Sequence, residues 1–149
     1  MFKHILIPTD GSKLSTEAAE AGVKLAQALG ARVTALFAAP PATPIIYKAA
    51  LPAGYATPQA HEAMIEKTAR QHLGAVQKAA RAAGVACEAL SVTSDFPADA
   101  ILATAKKRRC DLVFMASHAR KGLRGLLLGS ETQKVLANGK LPVLVYRKG

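Results

Sequence analysis

The sequence predicts an α/β fold built on an open parallel sheet with helices on both faces, and two observations support this class. Short apolar runs bounded by turn residues alternate along the chain with longer segments whose apolar residues recur every three or four positions. This alternation is typical of strands joined by right-handed helical crossovers, which produce a parallel sheet. Because the chain has 149 residues, of which 50% are hydrophobic, we expect residues 1–149 to form one domain.

The first part of the chain predicts a strand, a helix and a second strand. Residues 3–8 (KHILIP) form an apolar run that is closed by a proline, which is the pattern of a buried parallel strand. After a short turn, apolar residues at helical spacing continue to Leu29, and Gly30 is a typical C-terminal stop. Residues 32–39 (RVTALFAA) predict the second strand.

Residues 40–58 predict a long loop because prolines interrupt any regular structure there. These prolines are Pro40, Pro41, Pro44, Pro52 and Pro58. Long loops in compact domains often serve as lids or partner sites, so this loop is a candidate for either role.

The remaining elements continue the alternation of helix and strand. A helix with apolar residues from Ile65 to Ala83 is expected to end at Gly84, and a shorter one is expected to begin at Pro97 and to end in the basic run 106–109. Cations at a helix C-terminus complement the helix dipole, which is the simplest explanation of that run. The other predicted elements are a strand at 85–93, a strand at 111–116, a helix at 129–138 and a strand at 142–146.

Composition restricts the class of function. The net charge of +10 favours anionic partners through long-range attraction, but aromatic platforms for bases are scarce, which disfavours nucleic acid. Cys87 and Cys110 are expected to be small buried side chains rather than a disulfide, and no Cys/His cluster suggests a tightly bound metal. No apolar run is long enough for a membrane span and no signal peptide is evident, so we expect a soluble cytoplasmic protein.

Several motifs together resemble the universal stress protein family over essentially the whole chain. They are "ILIPTDGS", "ALG" before "ARVTALFA", "DLVFMASHARKG", "GLLLGSETQKVL" and "LPVLVYR". The resemblance implies a Rossmann-like sheet of five parallel strands in the order 3-2-1-4-5. It also implies a homodimer, which we expect to form through strand 142–146, because an apolar strand at a sheet edge requires a cover. One branch of the family binds an adenine nucleotide.

The nucleotide-binding branch carries a pattern of Gly, two residues, Gly, nine residues and Gly followed by Ser or Thr. This chain keeps the spacing and the final pair Gly129-Ser130, but Ala116 and Ala119 stand at the first two glycine positions. Alanine costs roughly 1–2 kcal/mol where φ is positive, and elsewhere its methyl group crowds an approaching ligand. The loop after the fourth strand is therefore expected to bind phosphate weakly rather than not at all.

The same loop supplies the other candidate phosphate ligands. The backbone amides of Gly129, Ser130 and Glu131 are expected to point at an anion from a helix N-terminus, and the Ser130 hydroxyl either caps that helix or donates to phosphate. The Glu131 carboxylate is expected to compete with phosphate for these amides. His118 and Arg120, with Lys121 and Arg124, supply positive charge, or are simply solvated.

Family matching supplies the rest of the candidate site. Pro8, Thr9, Ala38 and Met115 would form the adenine and ribose walls, or would simply be core. Asp10 would meet ribose hydroxyls or a magnesium-bound phosphate; alternatively it caps the first helix or shapes the Asp-Gly turn.

These features predict a stress protein that binds ATP, ADP or AMP weakly and acts as a homodimeric sensor. The alternative is a stress protein of the branch that does not bind nucleotides, acting as a protein-interaction module. An enzyme is the weakest hypothesis, because the chain lacks a P-loop lysine motif and a G-x-S-x-G elbow; slow ATP hydrolysis is the most that we expect.

Overall fold

The computed structural model of the protein describes residues 1–41, 58–118 and 128–148. Most of the predicted loop 40–58 lies outside these ranges. The described elements are β1 (His4–Pro8), α1 (Lys13–Leu29), β2 (Arg32–Ala39), α2 (Pro58–Ala82), β3 (Cys87–Thr93), α3 (Pro97–Arg108), β4 (Leu112–Ala116), α4 (Ser130–Asn138) and β5 (Val143–Tyr146). Within the described residues, no helix combines the length and the apolar character that crossing a membrane requires.

The five strands form one parallel sheet in the order β3-β2-β1-β4-β5, as predicted. The first strand lies at the centre, where Ile5 is aligned with Val33 of β2 and with Leu112 of β4. Burial on both faces explains why β1 is uniformly apolar: Ile5, Leu6 and Ile7 are each 0% exposed.

The helices cover the two faces in pairs. Val23 of α1 and Val76 of α2 pack with Ile7 on one face, whereas Val135 of α4 packs with Leu6 on the other face, together with residues of α3. The chain thus leaves β1 towards one face of the sheet and leaves β4 towards the opposite face.

The helix α2 begins where the predicted loop 40–58 ends, but its first turns carry no apolar period. The helix begins at Pro58, well before the first periodic apolar residue, Ile65. Periodicity could not reveal this extra length because most of the described side chains between these positions are exposed and therefore follow no apolar pattern. Proline at the first helical position is compatible with such a start.

The two cysteines are less buried than expected. Both are free and only partly buried, and they belong to clusters on opposite faces of the sheet, which excludes a disulfide between them in this fold. Burial raises the pKa of both thiols, that of Cys110 to about 11. Both thiols are therefore protonated at neutral pH.

The first three helices end with a residue in the left-handed conformation. Gly30 (φ 64°) and Gly84 (φ 68°) close α1 and α2, as predicted, because glycine adopts this conformation without strain. The third helix closes on Arg109 (φ 55°), the only non-glycine residue with positive φ in the described part of the chain.

Candidate functional site

A cavity of about 410 Å³ lies at the carboxyl edge of the sheet, beside the ends of β1 and β4. These adjacent strands continue into α1 and α4, which cover opposite faces, so the winding of the sheet reverses between them. Open α/β sheets bind ligands at this kind of reversal. The volume is within the range of small-molecule sites.

The structure brings ten of the twelve sequence-predicted site residues together around this cavity. They are Pro8, Thr9, Asp10, Ala38, Met115, Ala116, His118, Gly129, Ser130 and Glu131. The other two, Ala119 and Arg120, lie outside the described residues, as do Lys121 and Arg124.

Five further lining residues were missed by sequence reasoning: Ser15, Leu36, Pro97, Ile101 and Thr132. Two of them carried a usable signal. Leu36 stands two positions before Ala38, so the strand period already puts both on one face. Ser15 follows by three positions Ser12, a residue type favoured at helix N-caps, so the sequence already puts Ser15 in the first turn of α1. The remaining three depend on how α3 and α4 dock, which no local pattern reveals.

The turn after β1 is held by Asp10. One carboxylate oxygen (Oδ1) accepts a hydrogen bond from the Ser12 amide at 2.9 Å, so this side chain does shape the Asp-Gly turn. The capping interpretation of Asp10 is wrong, because the Ser12 hydroxyl caps α1 by accepting from the Ser15 amide at 3.1 Å. The second carboxylate oxygen of Asp10 takes no part in this turn and lies at the mouth of the cavity.

That second oxygen meets the loop that follows β4. Asp10 Oδ2 lies 3.2 Å from Nε2 of His118, which also lies 3.4 Å from the Ser12 hydroxyl. Burial alone would raise the pKa of Asp10, but the hydrogen bonds from Ser12 and the proximity of His118 outweigh burial and hold this pKa below its ordinary value. Asp10 is thus ionised at neutral pH. Both side chains are more than half exposed, so the pair positions the two loops more than it stabilises the fold.

The buried hydroxyl groups of Thr9 and Ser15 also hold the turn after β1. The Thr9 hydroxyl accepts hydrogen bonds from the Ser15 hydroxyl at 2.9 Å and from the Gly11 amide at 3.2 Å, and the Ser15 hydroxyl accepts from the Asp10 amide at 3.1 Å. Gly11 has a positive φ of 77° and lies against the imidazole of His72, which leaves no space for a side chain. This network presents Asp10 to the cavity in a defined position.

The sequence predicts that three amides at the start of α4, those of Gly129, Ser130 and Glu131, point at an anion. The structure agrees with this only in part. Gly129 is the N-cap residue, and its amide donates to the buried Ser117 hydroxyl at 2.9 Å, so this amide does not face an anion. The amides of Ser130, Glu131 and Thr132 have no acceptor within the described ranges. The capping interpretation of the Ser130 hydroxyl is wrong, since Gly129 occupies the cap position. The helix start therefore keeps several donors for an anion.

The sequence predicts that the Glu131 carboxylate competes for the amides of α4, but in the structure the carboxylate points away from them. Its Oε2 atom accepts a hydrogen bond from the Ala98 amide in the first turn of α3 at 2.9 Å, and Oε1 lies 3.4 Å from Nζ of Lys134. The residue before α3, Phe96, provides no side-chain cap, so Glu131 supplies the missing acceptor. Competition between this carboxylate and an anion at α4 is reduced accordingly.

Backbone geometry clarifies two positions of the glycine pattern. A side chain at Gly129 would place its Cβ 3.1 Å from the His118 carbonyl oxygen, a tight contact that favours glycine at this position. Ala116 ends β4 and does not have a positive φ, so alanine is not strained there. Ala116 borders the cavity, so an effect on a ligand would come from the bulk of the residue and not from backbone strain.

The lining suggests what the cavity can hold. Apolar side chains of β2, β4 and α3 form its walls, and an ionised carboxylate and a helix start lie at its rim. Such a site accommodates a flat apolar group at one end and an anionic group at the other. Within the described ranges, no three or more His, Cys, Asp or Glu side chains are grouped so that they could hold a metal ion.

Two sequence comparisons with known proteins indicate the same family. The sequence model of the universal stress protein family matches residues 1–147. Universal stress protein MJ0531 of Methanocaldococcus jannaschii is 32% identical over 148 residues, which cover 99% of this chain and 84% of the relative.

Solved structures share the fold. A universal stress protein in complex with cAMP has a TM-score of 0.70 and 24% identity, covering 98% of this chain and 97% of its own. The universal stress protein from Archaeoglobus fulgidus in complex with dAMP has a TM-score of 0.65 and 16% identity. The match covers 99% of this chain and 98% of that protein's chain. At these identities the similarity concerns the architecture alone.

The contact between Glu131 and α3 generates a test. We expect Glu131→Ala to lower the free energy of unfolding by about 1–2 kcal/mol, because the Ala98 amide loses its acceptor. Urea denaturation at pH 7 measures the change. Asp99→Ala is the matched control, since Asp99 is also an acid in the first turn of a helix but has no hydrogen bond within the described ranges. Equal losses in both variants would show that only the helix dipole is involved.

Proposed function

The chain belongs to the universal stress protein family, and on this premise we propose that its cavity binds an adenine nucleotide weakly, as the sensor site of a homodimer in a stress response. One observation carries the proposal. The cavity at the reversal between β1 and β4 combines apolar walls, an ionised Asp10 and unpaired amides at the start of α4. Two proteins of the same fold have been solved with cAMP and with dAMP, which supports an adenine nucleotide as the ligand class.

The apolar walls suit the base. Leu36, Ala38, Ile101 and Met115 border the cavity and provide surfaces that pack against a flat ring. In this proposal the adenine lies among these side chains, and the ribose lies towards Asp10. A carboxylate accepts hydrogen bonds from neighbouring hydroxyl groups and does so more strongly when it is ionised, as Asp10 is.

The start of α4 suits the phosphate. The amides of Ser130, Glu131 and Thr132 and the exposed Ser130 hydroxyl can donate to phosphate oxygens, and the positive end of the helix dipole favours the anion. ATP, ADP and AMP all carry this group. Any magnesium ion would be bound by the phosphates, with Asp10 as its protein neighbour in the proposal, because the described residues do not form a metal site of their own.

Two features reduce the expected affinity. Ala116 borders the cavity at a position where the family pattern has a bare glycine, and the Gly129 amide is already bonded to Ser117. A loss of about 1.4 kcal/mol of binding free energy corresponds to a tenfold weaker affinity. We therefore propose a site that responds to high nucleotide concentrations rather than one that retains a tightly bound cofactor.

The proposed dimer rests on the edge of the sheet. Among the described strands, β5 pairs with β4 alone, and its Leu144 side chain is 38% exposed. Leu136 of the neighbouring α4 is 43% exposed. Pairing of β5 with the same strand of a second copy, across a two-fold axis, would cover both the open edge and these apolar side chains.

Calorimetry with AMP and with ATP tests the nucleotide site. We expect weak saturable binding to the parent protein, and about tenfold tighter binding to the double variant Ala116→Gly/Ala119→Gly, because two methyl groups are removed from the loop. Ala28→Gly, at an exposed position of α1, is the matched control and should leave affinity unchanged. If the double variant binds no better than the parent, crowding is not the reason for weak binding. If neither nucleotide binds any of these proteins, the proposed function is wrong.

Sedimentation tests the proposed dimer. We expect the parent to sediment as a dimer at micromolar concentration and Leu144→Glu to sediment as a monomer, because a charge would be buried in the joined edge. Met64→Glu replaces another exposed apolar side chain, on α2, and should remain dimeric. A monomeric parent, or a Leu144→Glu variant that stays dimeric, would contradict pairing through β5.

A further inference from the structure

A second concave site lies at the opposite edge of the sheet, where the strands begin. This cavity has a volume of about 480 Å³ and is bordered by the starts of β1, β2 and β3 and by the end of α3. Its lining residues include Arg32, Lys107, Arg108 and Arg109, and Glu88 is the single carboxylate among the lining residues that the structure describes. None of them belongs to the nucleotide site proposed above.

The charges of this second cavity are not balanced. Arg108 pairs with Glu88 at 2.9 Å. In contrast, Arg32, Lys107 and Arg109 have no carboxylate partner in the parts of the chain that the structure describes. Unpaired cations along a concave wall focus a positive potential and attract anions.

The conformation of Arg109 is an independent observation. It closes α3 in the left-handed conformation, which is strained for a residue with a side chain, whereas Gly30 and Gly84 do the same for α1 and α2 without strain. The helix dipole does not explain the choice, because Lys106, Lys107 and Arg108 already place three cations in the last turn. Glycine at position 109 would relieve the backbone strain, yet the chain has arginine there. This choice indicates that the Arg109 side chain has a role of its own.

We propose that this second cavity binds a compact anion that carries two or more phosphate groups. Guanidinium groups bind phosphate oxygens in a bidentate manner, and Arg32 and Arg109 both border the cavity with no carboxylate partner among the described residues. The volume fits a small molecule rather than a polymer. No Phe, Tyr or Trp is among the described lining residues, so the phosphates, and not a base, are recognised.

The test uses sodium triphosphate with the full-length protein at physiological ionic strength. We expect saturable binding by calorimetry, with shifts of the backbone amide resonances of Arg32, Lys107 and Arg109 in the ¹⁵N-labelled protein. Arg32→Gln should weaken the affinity about tenfold through the loss of a charged hydrogen bond. Arg70→Gln is the matched control, because Arg70 is an exposed arginine on α2 that borders a different cavity, and it should bind like the parent.

Arg109→Gly separates a ligand role from a structural one. The substitution should weaken triphosphate binding about tenfold and at the same time raise the midpoint of thermal unfolding by about 2–4 °C, since glycine relieves the left-handed strain. A residue that served only the fold would not lose affinity while gaining stability.

Three results would overturn the proposal. The first is an Arg109→Gly variant that binds triphosphate as tightly as the parent. The second is a set of amide shifts confined to Ser130 and Glu131, which would put the anion in the first cavity. The third is binding of duplex DNA or of phosphatidylglycerol vesicles without binding of triphosphate, which would indicate an extended basic surface instead of a compact site.

Discussion

The adjacency of β1 and β4 is the constraint on which the candidate site depends. These two strands are hydrogen-bonded neighbours, yet the helices that follow them cover opposite faces of the sheet. The two connections must therefore diverge at the carboxyl edge, and the space between them cannot be filled by either helix. The cavity is a consequence of strand order, and the side chains around it determine what it can bind.

Polar contacts at this edge keep the divergent connections in place without filling the space between them. Asp10 holds its own turn with one oxygen and meets His118 with the other, so a single carboxylate links the loops after β1 and β4. Glu131 caps α3 rather than its own helix, which joins α3 to α4 and leaves the first amides of α4 unpaired. In both cases an acidic group stabilises a neighbouring element, and the cavity keeps its hydrogen-bond donors. This arrangement is consistent with an anion site of modest affinity.

Much of the fold follows from the sequence, whereas less of the site does. Uniformly apolar strands and glycine stops at Gly30 and Gly84 are local signals, so strand and helix positions were predictable from periodicity and turn chemistry. The residues of the cavity followed from family resemblance. The partners of individual groups were not predictable: the bond between the Gly129 amide and Ser117 depends on how a loop folds against a helix. Arg109 is a similar case, because nothing in the basic run indicates which of its residues adopts a positive φ.

In the proposed complex, the free amides at the start of α4 bind the phosphate of an adenine nucleotide. Titration of the ¹⁵N-labelled protein with AMP, followed by amide chemical shifts, tests it most directly. We expect progressive saturable shifts for Ser130, Glu131 and Thr132, with smaller shifts for Asp10 across the cavity. Unchanged resonances at these residues in the presence of millimolar AMP would contradict the claim.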